Sequence, residues 1–170
     1  MGLILISKNL SFQVGLFIRI LLLLVATPAI YNQWFLPFFE TAIKFNLFSP
    51  WLANYGNISM IDSFPYGIVM FICLLPLLYL GQVFDIFLNT NIFSQFFLGF
   101  NILLIDFGVL YFLIKMAKSD AKRAILLYWL SPIVIYICYW HGQLDILPVS
   151  LLVWSICFVN LKKPIKVQNQ

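Results

Sequence analysis

In the stretch from Tyr136 to Leu152, YICYWHGQLDILPVSLL, the one histidine of the chain stands four residues before an aspartate, with almost unbroken hydrocarbon on either side. On a helix, His141 and Asp145 would project from one face, while Gly142 lets the backbone turn or be approached closely. A carboxylate so placed can take or give a proton, and the imidazole and the Gln143 amide can hydrogen-bond a polar ligand. A divalent metal shared by Asp145 and His141 would be under-liganded. The plainer alternative is a polar turn in which Asp145 opens a helix at the positive end of its dipole, with Pro148 still inside the tolerated first turn.

A second anomaly is Asp106, in NILLIDFGVLYFLI. A carboxylate in the middle of such a run costs roughly 2.5–3.5 kcal/mol by insertion scales and faces a bundle interior or a watery cavity. Asn101 and Gly108 would help it face other helices; a hydrogen-bonded structural role is the competing reading. Arg19, in the first apolar run, reads as a side chain that snorkels to the cytoplasmic interface.

The elements that must position these residues follow from composition. Of 170 residues, 63% are hydrophobic and 9% charged, against roughly 25% charged in an average soluble domain. The chain is therefore expected to be an integral membrane protein in a single membrane domain, an all-α polytopic helix bundle. Ten Lys and Arg against six Asp and Glu do not imply nucleic acid, because the basic residues lie in short clusters between apolar runs, where they report topology. Cys73, Cys138 and Cys157 sit singly in apolar runs and suggest neither disulfides nor zinc, but small core residues. Pro28 interrupts the small-residue site after ILLLLVATPA, so an uncleaved first span is expected rather than a signal peptide.

A membrane-crossing helix needs about 20 apolar residues. Runs 12–31, 95–115, 124–140 and 145–161 qualify, and 64–81, which carries Pro76, is near the limit. Were all five to cross, the basic loop KMAKSDAKR and the tail LKKPIK would lie outside, against the positive-inside bias. Four full spans plus one embedded or juxtamembrane helix at 64–81 put both termini and nearly every basic residue at the cytoplasmic side, leaving Lys44 outside. Trp129, Tyr139 and Trp140 then read as interfacial aromatics near the ends of the third span. Glu40, Asp62, Asp85 and Asp145 fall on the outer face, where the chemistry is expected. The outer loop, 32–63, should carry an amphipathic surface helix within 38–48. It also carries the sequon Asn57-Ile58-Ser59, and 162–170 forms a polar tail.

Taken together, the parts FETAIKFNLFSPWL, FPYGIVMF, LLIDFGVLYFLIKMAKSDAKR and YWLSPIVIYICYWHGQLD resemble the N-terminal part of the polytopic GT-C glycosyltransferases. HGQLD resembles the HFQYN of glucosyltransferases that use dolichol-phosphate glucose, and the wider order is similar to the GPI mannosyltransferases. The resemblance implies transfer of a sugar from a polyprenyl-phosphate donor to an acceptor hydroxyl, in a bacterial plasma membrane or the endoplasmic reticulum. By that resemblance Asp145 and Glu40 would be catalytic carboxylates, and His141, Gln143, Lys44, Asp106 and Asp62 would bind substrate. Family members carry an Asp just after the first span, whereas IYNQWF has none. They also have at least twice as many spans, so the chain would act with a membrane-protein partner or a C-terminal half. The rival expectation is a small carrier or assembly subunit with no catalysis, in which Asp106 makes an interhelical contact.

Overall fold

A computed structural model describes residues 9–45, 50–52, 54–55, 58–117 and 120–162. Helices dominate it. The first, α1, spans Leu10–Val25, with the Asn9 side chain accepting from the Ser11 amide as its N-cap. It stops at Val25, earlier than the expected 12–31, because Pro28 disfavours helical backbone in the residue before it, and Ala26 is already extended. The chain resumes as a π-helical turn, Tyr31–Phe35, that runs directly into α2, Leu36–Lys44. A 3-10 turn follows at Pro50–Leu52, then a two-residue antiparallel ladder of β1, Asn54–Tyr55, with β2, Ile58–Ser59, and the short α3, Met60–Ser63. Asn57 of the sequon lies outside the described residues.

The amphipathic helix expected in the outer loop is α2, but its apolar side is spent on the protein. Phe38 and Phe39 are fully buried, Phe38 stacking on Phe64 and Phe39 on Phe71 at centroid distances of 4.7 and 5.3 Å. The Trp51 indole donates to the Phe64 carbonyl. Glu40 and Lys44 remain on the exposed side.

Next, α4, Ile68–Leu88, and α5, Ile92–Ala117, form a tight hairpin. Both are long and apolar enough to cross a membrane. This corrects the extent given to 64–81: the helix begins at Ile68 and continues to Leu88, 21 residues, because Pro76 costs one intrahelical hydrogen bond without ending it. The hairpin is closed by Asp85, whose carboxylate accepts from the Thr90 hydroxyl and the Phe93 and Ser94 amides. Asp85 thereby caps the first turn of α5, satisfying donors that lack intrahelical partners. Gly81 allows the close approach, since a Cβ there would stand 2.9 Å from Ser94 Cα.

The third apolar run is a bent helix rather than a straight one. Its first arm is α6, Ala121–Ala124, continued by π-helical Ile125–Trp129; its second is α7, Pro132–Ile135, continued by π-helical Tyr136–His141. The arms meet at 49° and together qualify as a third candidate span. SP in YWLSP explains the break: Ser131 caps the second arm and Pro132 takes its first position, where a missing N–H does no harm. Finally α8, Ile146–Lys162, packs along α5, with Trp154 over Gly108 and Phe158 against Phe112. Of the cysteines, Cys138 and Cys157 are buried, whereas Cys73 is exposed, contrary to its expected core position.

Candidate functional site

The most strongly built polar centre lies at mid-bundle. Asp106 and Arg19 are both fully buried and paired, Nε to Oδ2 at 2.6 Å. The Tyr139 hydroxyl donates to the same oxygen at 2.8 Å, and the Tyr128 hydroxyl donates to Oδ1 at 2.6 Å. Arg19 Nη1 donates to the Trp129 carbonyl at 2.6 Å and to that of Gly15, and its guanidinium lies 3.7 Å above the Trp129 ring. The helix break makes this possible: the extended backbone at Ser131 interrupts the helical ladder beyond the Trp129 carbonyl, and Arg19 supplies a donor to it.

Three expectations change here. Arg19 does not snorkel; it is the counter-ion of Asp106. Trp129 and Tyr139 are not interfacial belt residues, since both are buried and turned onto the ion pair. Asp106, expected to bind substrate, is fully buried with protein donors on both its oxygens. Asn101 is buried nearby but donates instead to the Leu74 and Phe97 carbonyls.

HGQLD sits at the bundle end where the α1–α2 connection, the start of α5 and the end of the bent helix converge. Gly142 has φ +80°, and a Cβ there would meet Pro28 and Tyr31; Asn32 accepts from Gln95 beside them. The helix ends at His141 and α8 begins at Ile146, so the two residues do not share one helical face as the spacing suggested. His141 instead lines a groove with Gln33, Trp34 and Trp140. Asp145 is exposed, and the Tyr66 hydroxyl donates to it at 3.5 Å. Burial and then the Asp145 charge push the Tyr66 hydroxyl above its ordinary range.

Glu40 stands apart from this turn, nearer Asp85 and Lys44. Burial and then the Asp85 charge raise its carboxyl above the ordinary range, and Lys44 opposes them. Its side chain still opens to the surface, so water screens these influences. Asp62 lies on α3 and is exposed. Among the described residues, no three His, Cys, Asp or Glu side chains come together as a metal site would require. The bundle end thus brings His141, Gln143 and Asp145 into one turn and leaves Glu40 and Lys44 on α2 and Asp62 on α3. Arg19 is the residue whose role the sequence reading misassigned, since a snorkelling arginine and an internally paired one satisfy the same local rule. No family model, no curated protein and no solved structure matches the chain.

Proposed function

We propose that this chain is a part, subunit or relative of a GT-C type membrane glycosyltransferase, handling a polyprenyl-phosphate sugar at the bundle end that carries HGQLD. In this reading α1, α5, the bent helix and α8 cross the bilayer, α4 is embedded without crossing, the termini are cytoplasmic, and HGQLD faces outward. The observation that carries it is the contrast among carboxylates. Asp85 and Asp106 have every oxygen committed to protein donors and Asp120 pairs with Arg123, whereas Asp145 is exposed in the turn that follows His141, with a long contact from the Tyr66 hydroxyl.

In the reaction, an acceptor hydroxyl attacks the anomeric carbon, the bond to lipid phosphate breaks, and a carboxylate takes the hydroxyl proton. Asp145 is the first choice for that base and Glu40 the second. His141 and Gln143 supply hydrogen bonds to sugar or phosphate oxygens, and Lys44 with Asp62 borders the acceptor side. The departing phosphate needs cationic help beyond His141 and Lys44, which a partner chain would contribute. The rival carrier reading runs through Asp106, and the closed shell around that residue weighs against it.

Transfer from a radiolabelled lipid-phosphate sugar, measured in membranes containing the complete assembly, tests the reading. Asp145→Asn should abolish transfer while leaving insertion and thermal unfolding unchanged; transfer that survives would remove Asp145 from the mechanism. A carrier would instead lose flux on Asp106→Asn and tolerate changes throughout HGQLD.

A further inference from the structure

The two arms of the bent helix, 49° apart, meet on a single carboxylate. Asp106 Oδ1 accepts from Tyr128 of the first arm, and Oδ2 accepts from Tyr139 of the second. The arms are not held equally. The first is also fixed to α1: the Trp129 carbonyl accepts from Arg19, and the Trp129 indole donates to the Phe12 carbonyl at 3.0 Å and stacks on the Phe12 ring. For the second arm, the Tyr139 hydroxyl is the polar tether to another helix among the described residues. Between the arms Ser131 is extended, and a break of this kind absorbs rotation without fixing an angle. What the arms touch must therefore set the bend.

We propose that Asp106 is a positioning residue for HGQLD, acting through the Tyr139 hydroxyl to hold the second arm at its angle and so set where His141 and Asp145 stand. The link from Tyr139 to the turn is short. The amides of Gly142 and Gln143 both donate to the Ile137 carbonyl, which stitches the turn to the last residues of the arm. Tyr139 faces inward and His141 outward, so the bond that fixes the direction of the one fixes that of the other. A hydrogen bond to an ionised, fully buried carboxylate is among the strong ones, and Arg19 keeps that carboxylate charged and in place. The role requires no contact between Asp106 and a substrate. It rests on the reading that HGQLD is the site, although the placement of the turn can be measured without any reaction.

The test is Tyr139→Phe, which removes the hydroxyl and keeps the ring, in the full chain in nanodiscs. Pulsed electron spin resonance reads the distance between labels on cysteines replacing the exposed Trp140 and Met116, and a second pair at Leu24 and Met116 reports on the rest of the bundle. The Trp140–Met116 distribution should shift or broaden by about 1 Å or more, a misplacement that costs up to roughly 100-fold in rate. The Leu24–Met116 distribution should stay as it is. Tyr128→Phe should change neither pair, because Trp129 still holds the first arm. In the transfer assay with the complete assembly, Tyr139→Phe should lower kcat about tenfold to a hundredfold with KM little changed. An unmoved Trp140–Met116 distance overturns the proposal, and so does a change of equal size in both pairs or in Tyr128→Phe, since each would mean a general loosening. The distances decide the tether even where Asp145→Asn shows that HGQLD is not the site. Where Asp145→Asn does abolish transfer, a kcat untouched by Tyr139→Phe overturns the positioning role.

Discussion

Arg19 and Asp106 lie 87 residues apart in sequence, and their pairing determines what each is for. Removing one partner leaves an uncompensated charge in the bundle, so Arg19→Met or Asp106→Leu alone should destabilise by ~3–5 kcal/mol, while the double apolar replacement recovers most of that loss. Thermal unfolding of the three variants in detergent measures it; a double variant no more stable than the singles would refute the pair as the source. Asp106 could be read in sequence as a residue facing other helices, because burial of a carboxylate needs no knowledge of its partner. Arg19 could not, because snorkelling and internal pairing satisfy the same local rule and only the fold separates them. Glu40 yields a second prediction. Its raised carboxyl keeps its proton to higher pH than usual, so if Glu40 is the base, activity falls on acidification starting above the ordinary carboxylate range. A pH–rate profile in which Glu40→Gln retains both the rate and that acid limb would assign the base elsewhere.

At the scale of elements, the contacts between helices rest on a few small residues. Gly81 lets α4 meet the backbone of Phe93 and Ser94, and neither can retreat without moving the start of α5. Gly81→Ala should therefore cost ~1–3 kcal/mol, the usual penalty of overpacking, seen as a lowered unfolding temperature; an unchanged temperature would mean that the hairpin is loose enough to admit a methyl group. The Asp85 cap belongs to the same contact. Counting charges placed Asp85 on the outer side as one acid among four, yet its role is set by the Asn89 turn, whose φ of +51° brings the α5 amides back over the carboxylate. Helix existence was legible from apolar run length, and the helix stop at Pro28 and restart at Ser131-Pro132 follow from proline chemistry. The π-helical turns at Tyr31–Phe35, Ile125–Trp129 and Tyr136–His141 were not legible, since one extra residue per turn leaves no mark in an apolar run.

For the whole molecule, the open question of arrangement is concentrated in α4. Length and composition alone make it as fit to cross as α5, and the hairpin would carry its two ends to opposite faces if both helices stood upright. Two contacts argue otherwise. At its start, Tyr66 reaches Asp145; beyond its end, Gln95 in the first turn of α5 bonds Asn32, next to the Tyr31 that packs on Gly142. The proposed embedded placement of α4 draws on these two contacts, which link both ends of the helix to the neighbourhood of HGQLD. The same proposal draws on the basic clusters through the positive-inside bias. Single cysteines at Pro65, Asn91, Gln143 and Lys122, in a background without the native three, test it with a membrane-impermeant thiol reagent. The first three should be labelled from outside and Lys122→Cys only after the membrane is opened. Labelling of Pro65→Cys and Asn91→Cys from opposite faces would make α4 a full span, invert the termini relative to each other, and remove the common outer face on which the Asp145 and Glu40 reading depends.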